Sequence, residues 1–214
     1  MYLPLRALTA FTVLASAVLL ALPINATPAA ATVLTSTLRD TTFRGEGDDV
    51  LRVKATKTRG IVVATYDGES NFIVYGLDRQ GKEKQVLFNA IGTYSGTALY
   101  NSTPGDTLAG LKITADGPWT LRFRPLSSAP LWKGATARGK GDAVLRLNPP
   151  SRGFRTVRAR HTGESNFIVY GFAGAGFPDV LFNEIGGYNG KTSLPSGTRL
   201  IVVQADGKWS MNRR

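Results

Sequence analysis

Short runs of β-branched and aromatic residues, bounded by glycine, asparagine or aspartate, recur along the chain from Val50 onward. Such runs predict strands, here near Val50–Lys54, Ile61–Tyr66, Phe72–Leu77, Gln85–Asn89, Thr97–Tyr100, Leu108–Thr114 and Trp119–Phe123. The second half of the chain repeats the set. No window has the three-to-four residue apolar spacing of an amphipathic helix. Alternation within Phe72–Leu77 places Phe72, Val74 and Gly76 on one side and Ile73, Tyr75 and Leu77 on the other, which predicts a central strand covered on both faces.

The repetition is literal. G-E-S-N-F-I-V-Y-G runs from Gly68 to Gly76 and again, ninety-five positions later, from Gly163 to Gly171. Arg44-Gly45-Glu46-Gly47-Asp48 with Val50-Leu51-Arg52 matches Arg138-Gly139-Lys140-Gly141-Asp142 with Val144-Leu145-Arg146. Leu87-Phe88-Asn89, Ile91-Gly92, Tyr94 and Gly96 match Leu181-Phe182-Asn183, Ile185-Gly186, Tyr188 and Gly190. Ala115-Asp116-Gly117 and Trp119 match Ala205-Asp206-Gly207 and Trp209. About seven short strands per copy, with turns at regular spacing, predict an all-β protein of two tandem small β-sandwich domains, jelly-roll or immunoglobulin-like.

The copies are expected over residues 38–125 and 130–214, joined by P-L-S-S-A-P, a linker of restricted reach. Residues 1–31 read as a signal peptide and the start of a leader. Arg6 precedes an apolar run from Ala7 to Leu22 that Pro23 ends, and small residues suited to cleavage follow; a retained anchor is the alternative. The run falls short of the roughly 20 residues that span a bilayer. No second apolar stretch follows, so the mature chain is expected to be secreted or held at the cell surface, with no transmembrane segment.

Cysteine is absent, which excludes disulfides, thiolate metal sites and cysteine nucleophiles. The net charge of +11 is unevenly held. Residues 33–125 carry twelve Lys/Arg against ten Asp/Glu, and residues 126–214 carry thirteen against five. Arg158 and Arg160 stand where the first copy has Val63 and Thr65, on one strand face by alternation. With Arg146, Arg152 and Arg155 nearby they form a candidate anion-binding strip, the alternative being a solvated sheet face.

Asp48, Glu69 and Asp116 recur as Asp142, Glu164 and Asp206. An aspartate beside glycine before a strand suits a turn; the three acids of each copy, gathered from loops, are also the hard oxygen ligands that calcium would use, although no contiguous D-x-D-x-D-G loop is present. No other cofactor is expected. Asn71 and Asn166 beside aromatic residues, with Tyr94 and Tyr188, offer a glycan-binding surface or, alternatively, turn and corner residues. Trp119 and Trp209 read as core residues, and the unmatched Trp132 as a residue packing the copies together. No enzyme is indicated. Ser70 and Ser165 lack the nucleophile-elbow pattern, and the single histidine, His161, is matched by Tyr66 in the first copy.

The G-x-G-D, S-N-F, N-x-I-G-x-Y-x-G and A-D-G-x-W pattern resembles the tandem β-domains of uncharacterised secreted actinobacterial proteins. The resemblance covers nearly all of the chain after the leader. It implies export and a cell-envelope setting and carries no site residue. The second copy departs from it by Pro149-Pro150 and by the hairpin Ala173–Pro178. Together these features predict a secreted, basic, non-catalytic binding module for a cell-wall or other anionic polymer or glycan, with nucleic acid bound only non-specifically. A structural or adhesive cell-surface protein that binds another protein is the alternative, and a secreted hydrolase the third.

Overall fold

A computed structural model describes residues 40–214, so the segment read as a signal peptide and leader lies outside the described residues. The first repeat holds β1 (Thr42–Glu46), β2 (Asp49–Thr56), β3 (Gly60–Tyr66), β4 (Asn71–Leu77), β5 (Glu83–Ile91), β6 (Tyr94–Tyr100), β7 (Leu108–Thr114) and β8 (Pro118–Pro125). The second holds β9 (Thr136–Lys140), β10 (Ala143–Arg146), β11 (Arg155–His161), β12 (Asn166–Phe172), β13 (Asp179–Ile185), β14 (Tyr188–Leu194), β15 (Leu200–Ala205) and β16 (Lys208–Arg213). Each repeat is a sandwich of two four-stranded antiparallel sheets, ordered β1-β8-β3-β6 over β2-β7-β4-β5 and β9-β16-β11-β14 over β10-β15-β12-β13. Eight strands in this order make a jelly roll rather than the seven-stranded immunoglobulin arrangement. Among the described residues no helix is long and apolar enough to cross a membrane.

The predicted seven strands correspond to β2–β8, and β1 and β9 are the eighth. Their short segments, T-F-R-G-E and T-A-R-G-K, lack β-branched apolar residues because the space above them is filled from outside. Trp119 lies over Gly45 and Trp209 over Gly139, so closely that a Cβ on either glycine would fall inside the indole. Each indole N–H then donates to the following turn, Trp119 to Gly47 O and Trp209 to Gly141 O, both at 2.9 Å.

Each repeat has its own core. Phe72 stacks on Tyr66 at 4.7 Å in the first, and Phe167 on His161 at 4.7 Å in the second. A third cluster joins them: Ile61, Leu99 and Ala129 pack with Val144, Phe172, Leu200 and Val202. Around it, the β6 edge meets β10 through Thr97 N–H donating to Asp142 O at 3.0 Å. Arg59 donates to the carbonyls of Gly174, Ala175 and Gly176 at 2.6–3.1 Å and lies over Phe172. The A-G-A-G-F-P hairpin that sets the second repeat apart is thus a docking element.

The linker is docked as well. A 3-10 turn at Leu126–Ser128 leads to buried Ala129, and Leu131 bridges to Arg146. Trp132 does not join the repeats as predicted; it is buried in the second repeat's own core, under the guanidinium of Arg213.

Candidate anion-binding face

In β11 the sequence R-T-V-R-A-R-H alternates, with Val157, Ala159 and His161 buried and Thr156, Arg158 and Arg160 turned outward. Because paired residues share a sheet face, the register extends this row across four strands. Arg158 lies between Lys191 on β14 and Asn212 on β16. Arg160 lies between Asn189 and Ser210, and Ser210 is followed across the sheet by Arg138 on β9. Lys208 faces Lys140 in the same way.

The outer face therefore gathers Arg138, Lys140, Arg158, Arg160, Lys191 and Lys208, and no strand of this sheet contains an aspartate or glutamate. None of these six makes an ion pair among the described residues. Arg158 is steadied by its Nε donating to Asn189 Oδ1 at 3.2 Å. Arg158 beside Lys191, and Lys208 beside Lys140, are like charges directly opposite each other, an arrangement that weakens a sheet. Basic neighbours along a strand are about 6.6 Å apart, inside the roughly 8 Å screening length of physiological salt. A multivalent anion relieves that repulsion.

Strand alternation gave Arg158 and Arg160. It missed Arg138 and Lys140, whose segment reads as a turn, and Lys191 and Lys208, which only the register brings alongside. Arg155 stands at the start of β11, its Nε donating to Arg152 O at 3.3 Å. Arg146 does not extend the strip as predicted. It lies on β10 in the opposite sheet, where its Nε donates to Ala129 O in the linker at 2.8 Å.

The predicted aromatic and amide candidates separate. Tyr94 packs among Phe72 and Phe88, and Tyr188 among Phe167 and Phe182, so neither presents a ring face to a glycan. The Tyr94 hydroxyl donates to Asp142 Oδ2 at 2.6 Å across the repeats, and burial holds its proton well above the usual tyrosine range. Asn71 and Asn166 are exposed on the outer faces of β4 and β12. There the pairs Asn71–Ile91, Ile73–Asn89 and Tyr75–Val86 recur unchanged as Asn166–Ile185, Ile168–Asn183 and Tyr170–Val180. Ile91 and Ile185 are 80% and 81% exposed, so core packing does not account for that repetition.

The repeated acids serve turns. Asp48 Oδ1 accepts from Ala115 N–H at 2.9 Å and Asp142 Oδ1 from Ala205 N–H at 2.8 Å. Asp116 accepts from Ser70 N–H and the Tyr66 hydroxyl, and Asp206 from Glu164 and Ser165 N–H. His161 replaces Tyr66: its Nδ1–H donates to Gly186 O at 2.8 Å, and its Nε2 lies 3.3 Å from Asp206 Oδ1 without hydrogen-bond alignment. Glu69 and Glu164 are exposed in the same turns. Among the described residues no three histidines, cysteines or acids converge to hold a metal ion.

No protein-family model matches the chain, and no curated protein matches it. Among solved structures, a turret protein in Sulfolobus turreted icosahedral virus aligns with 82% of this chain and 97% of its own, at 11% identity and a TM-score of 0.23.

Proposed function

We propose that this chain is a non-catalytic binding protein that holds an anionic polymer on the outer face of the β14-β11-β16-β9 sheet. The observation that carries the reading is a face of six cations without an ion pair among the described residues, with like charges opposite each other and no acid on any of its strands. The first repeat lends support by contrast: its matching face has Val63, Thr65 and Thr97 where the second has Arg158, Arg160 and Lys191. The export signal read in residues 1–31 supports a partner outside the cell, such as a wall polymer or acidic glycan.

Replacing Arg158 by Val and Arg160 by Thr, the first repeat's residues, tests this by retention on isolated cell walls across a salt series. Each exposed cation near an anionic surface contributes about 1 kcal/mol, so the double variant is expected to bind roughly thirtyfold more weakly at low salt. Wild-type retention should fall steeply with salt. Undiminished retention in the variant would remove the face from the account. A second reading would then stand in its place, an adhesive contact with another protein through the duplicated Asn71–Ile91 and Asn166–Ile185 rows.

A further inference from the structure

The first repeat closes one end of its sandwich with rings. Tyr100 and Phe123 lie 5.5 Å apart, Phe43 packs edge-on against Phe123 at 5.9 Å, and the Tyr100 hydroxyl covers Gly60. Strand register places Leu194, Arg213, Ala137 and Arg155 at the matching positions of the second repeat. Three rings are gone, and a cavity of about 340 Å³ opens, lined by Arg152, Arg155, Arg213 and Arg214 against an apolar wall of Pro149 and Leu194.

None of these arginines makes an ion pair among the described residues. Arg213 is held in place, its Nε donating to Gly134 O and its Nη2 to Trp132 O, both at 3.0 Å. Arg155 is tied at Nε to Arg152 O, and its terminal nitrogens have no hydrogen-bond partner among the described residues. Four guanidinium-bearing residues lining one cavity with no acid among its lining residues repel one another, and an anion bound there relieves that repulsion. Their planar forks match pairs of oxygens on a tetrahedral oxyanion, whose larger charge and additional oxygens serve several forks at once better than the two oxygens of a carboxylate do. The volume is at the lower limit of the roughly 300–1,000 Å³ typical of ligand sites, so it takes a group rather than a chain.

We propose that this cavity binds a phosphate group and that the polymer on the adjoining basic face carries it, which rests on the reading of that face given above. The test titrates the intact chain by calorimetry at physiological salt, first with inorganic phosphate and then with a glycerol-phosphate oligomer. Wild type and the Arg158→Val, Arg160→Thr variant are expected to bind inorganic phosphate alike, and Arg155→Gly to bind it at least tenfold more weakly. Arg213→Phe, which restores the first repeat's ring, provides a second block. The oligomer should bind more tightly than phosphate and lose affinity in both the cavity and the face variants.

Absence of phosphate binding by wild type, or equal binding by a normally melting Arg155→Gly, would overturn the site. If wall retention still fell in the face variant, the face would stand without the cavity. Phosphate binding without any gain from the oligomer would make free phosphate the ligand and overturn the polymer part.

Discussion

Tyr94 and Tyr188 occupy the same position in their repeats and pack against the same rings, yet only Tyr94 has a hydroxyl partner among the described residues. Tyr94→Phe removes one donor from the half-buried Asp142 carboxylate, which is expected to cost about 1–3 kcal/mol in chemical denaturation. Tyr188→Phe, with no such acceptor, should stay within about 0.5 kcal/mol of wild type. The acids around these turns also set opposite pH trends. The Tyr66 hydroxyl and Ser70 N–H hold Asp116 below the usual carboxylate range. Burial would raise Asp206, but the N–H groups of Glu164 and Ser165 outweigh it and hold it low. Both aspartates therefore stabilise the fold fully above the ordinary aspartate value of about 3.9, and the contribution is lost as pH falls through their lowered values. Asp142 is raised by burial despite its bonds from Tyr94 and Ala205, so its contribution is greatest when protonated and declines as pH rises through its raised value. In melting curves across pH, Asp116→Asn with Asp206→Asn is expected to flatten the acid limb, and Asp142→Asn to remove the opposing decline.

Among the elements, the strands with a local apolar signature were legible and those completed by distant residues were not. β3, β4 and β7 carry β-branched runs, and their positions follow from the sequence directly. β1 and β9 owe their place to an indole from the far end of the repeat lying over a glycine, a relation that no window around Gly45 or Gly139 contains. The candidate face shows the same limit. Alternation within β11 puts Arg158 and Arg160 on one side, but which cations join them depends on β11 pairing with β14 and β16 rather than with its sequence neighbour β10. That pairing also separates Arg146 from the strip, since β10 enters the other sheet. The acids were legible as turn residues from the glycines beside them, but the backbone N–H groups they accept from lie 41–67 residues away in the chain, which no local window contains. The partner of Tyr94 was not, because it belongs to the other repeat.

At the scale of the whole molecule, one sheet face plays two parts. In the first repeat its outer residues Ile61 and Leu99 are 2% and 3% exposed because the second repeat covers them. The second repeat has Thr156 and Ser193 at those positions, beside Arg158 and Lys191, so an apolar docking contact of the same kind cannot form on it and the basic face stays open. The sequence predicts two tandem domains, and each repeat does possess its own core, but the shared cluster gives the first repeat a surface suited to its neighbour. Fully burying an aliphatic side chain of this size stabilises by about 1.5–3 kcal/mol, so removing two such groups should be felt by both repeats. Ile61→Thr with Leu99→Ser, the second repeat's own residues, is therefore expected to split one denaturation transition into two and to lengthen the particle in small-angle scattering. Residues 38–125 expressed alone should be less stable than the same segment in the full chain, and the double substitution should narrow that difference. A single transition at the wild-type midpoint in the double variant would show that the repeats are coupled by the Arg59 and Tyr94 contacts instead of the apolar cluster.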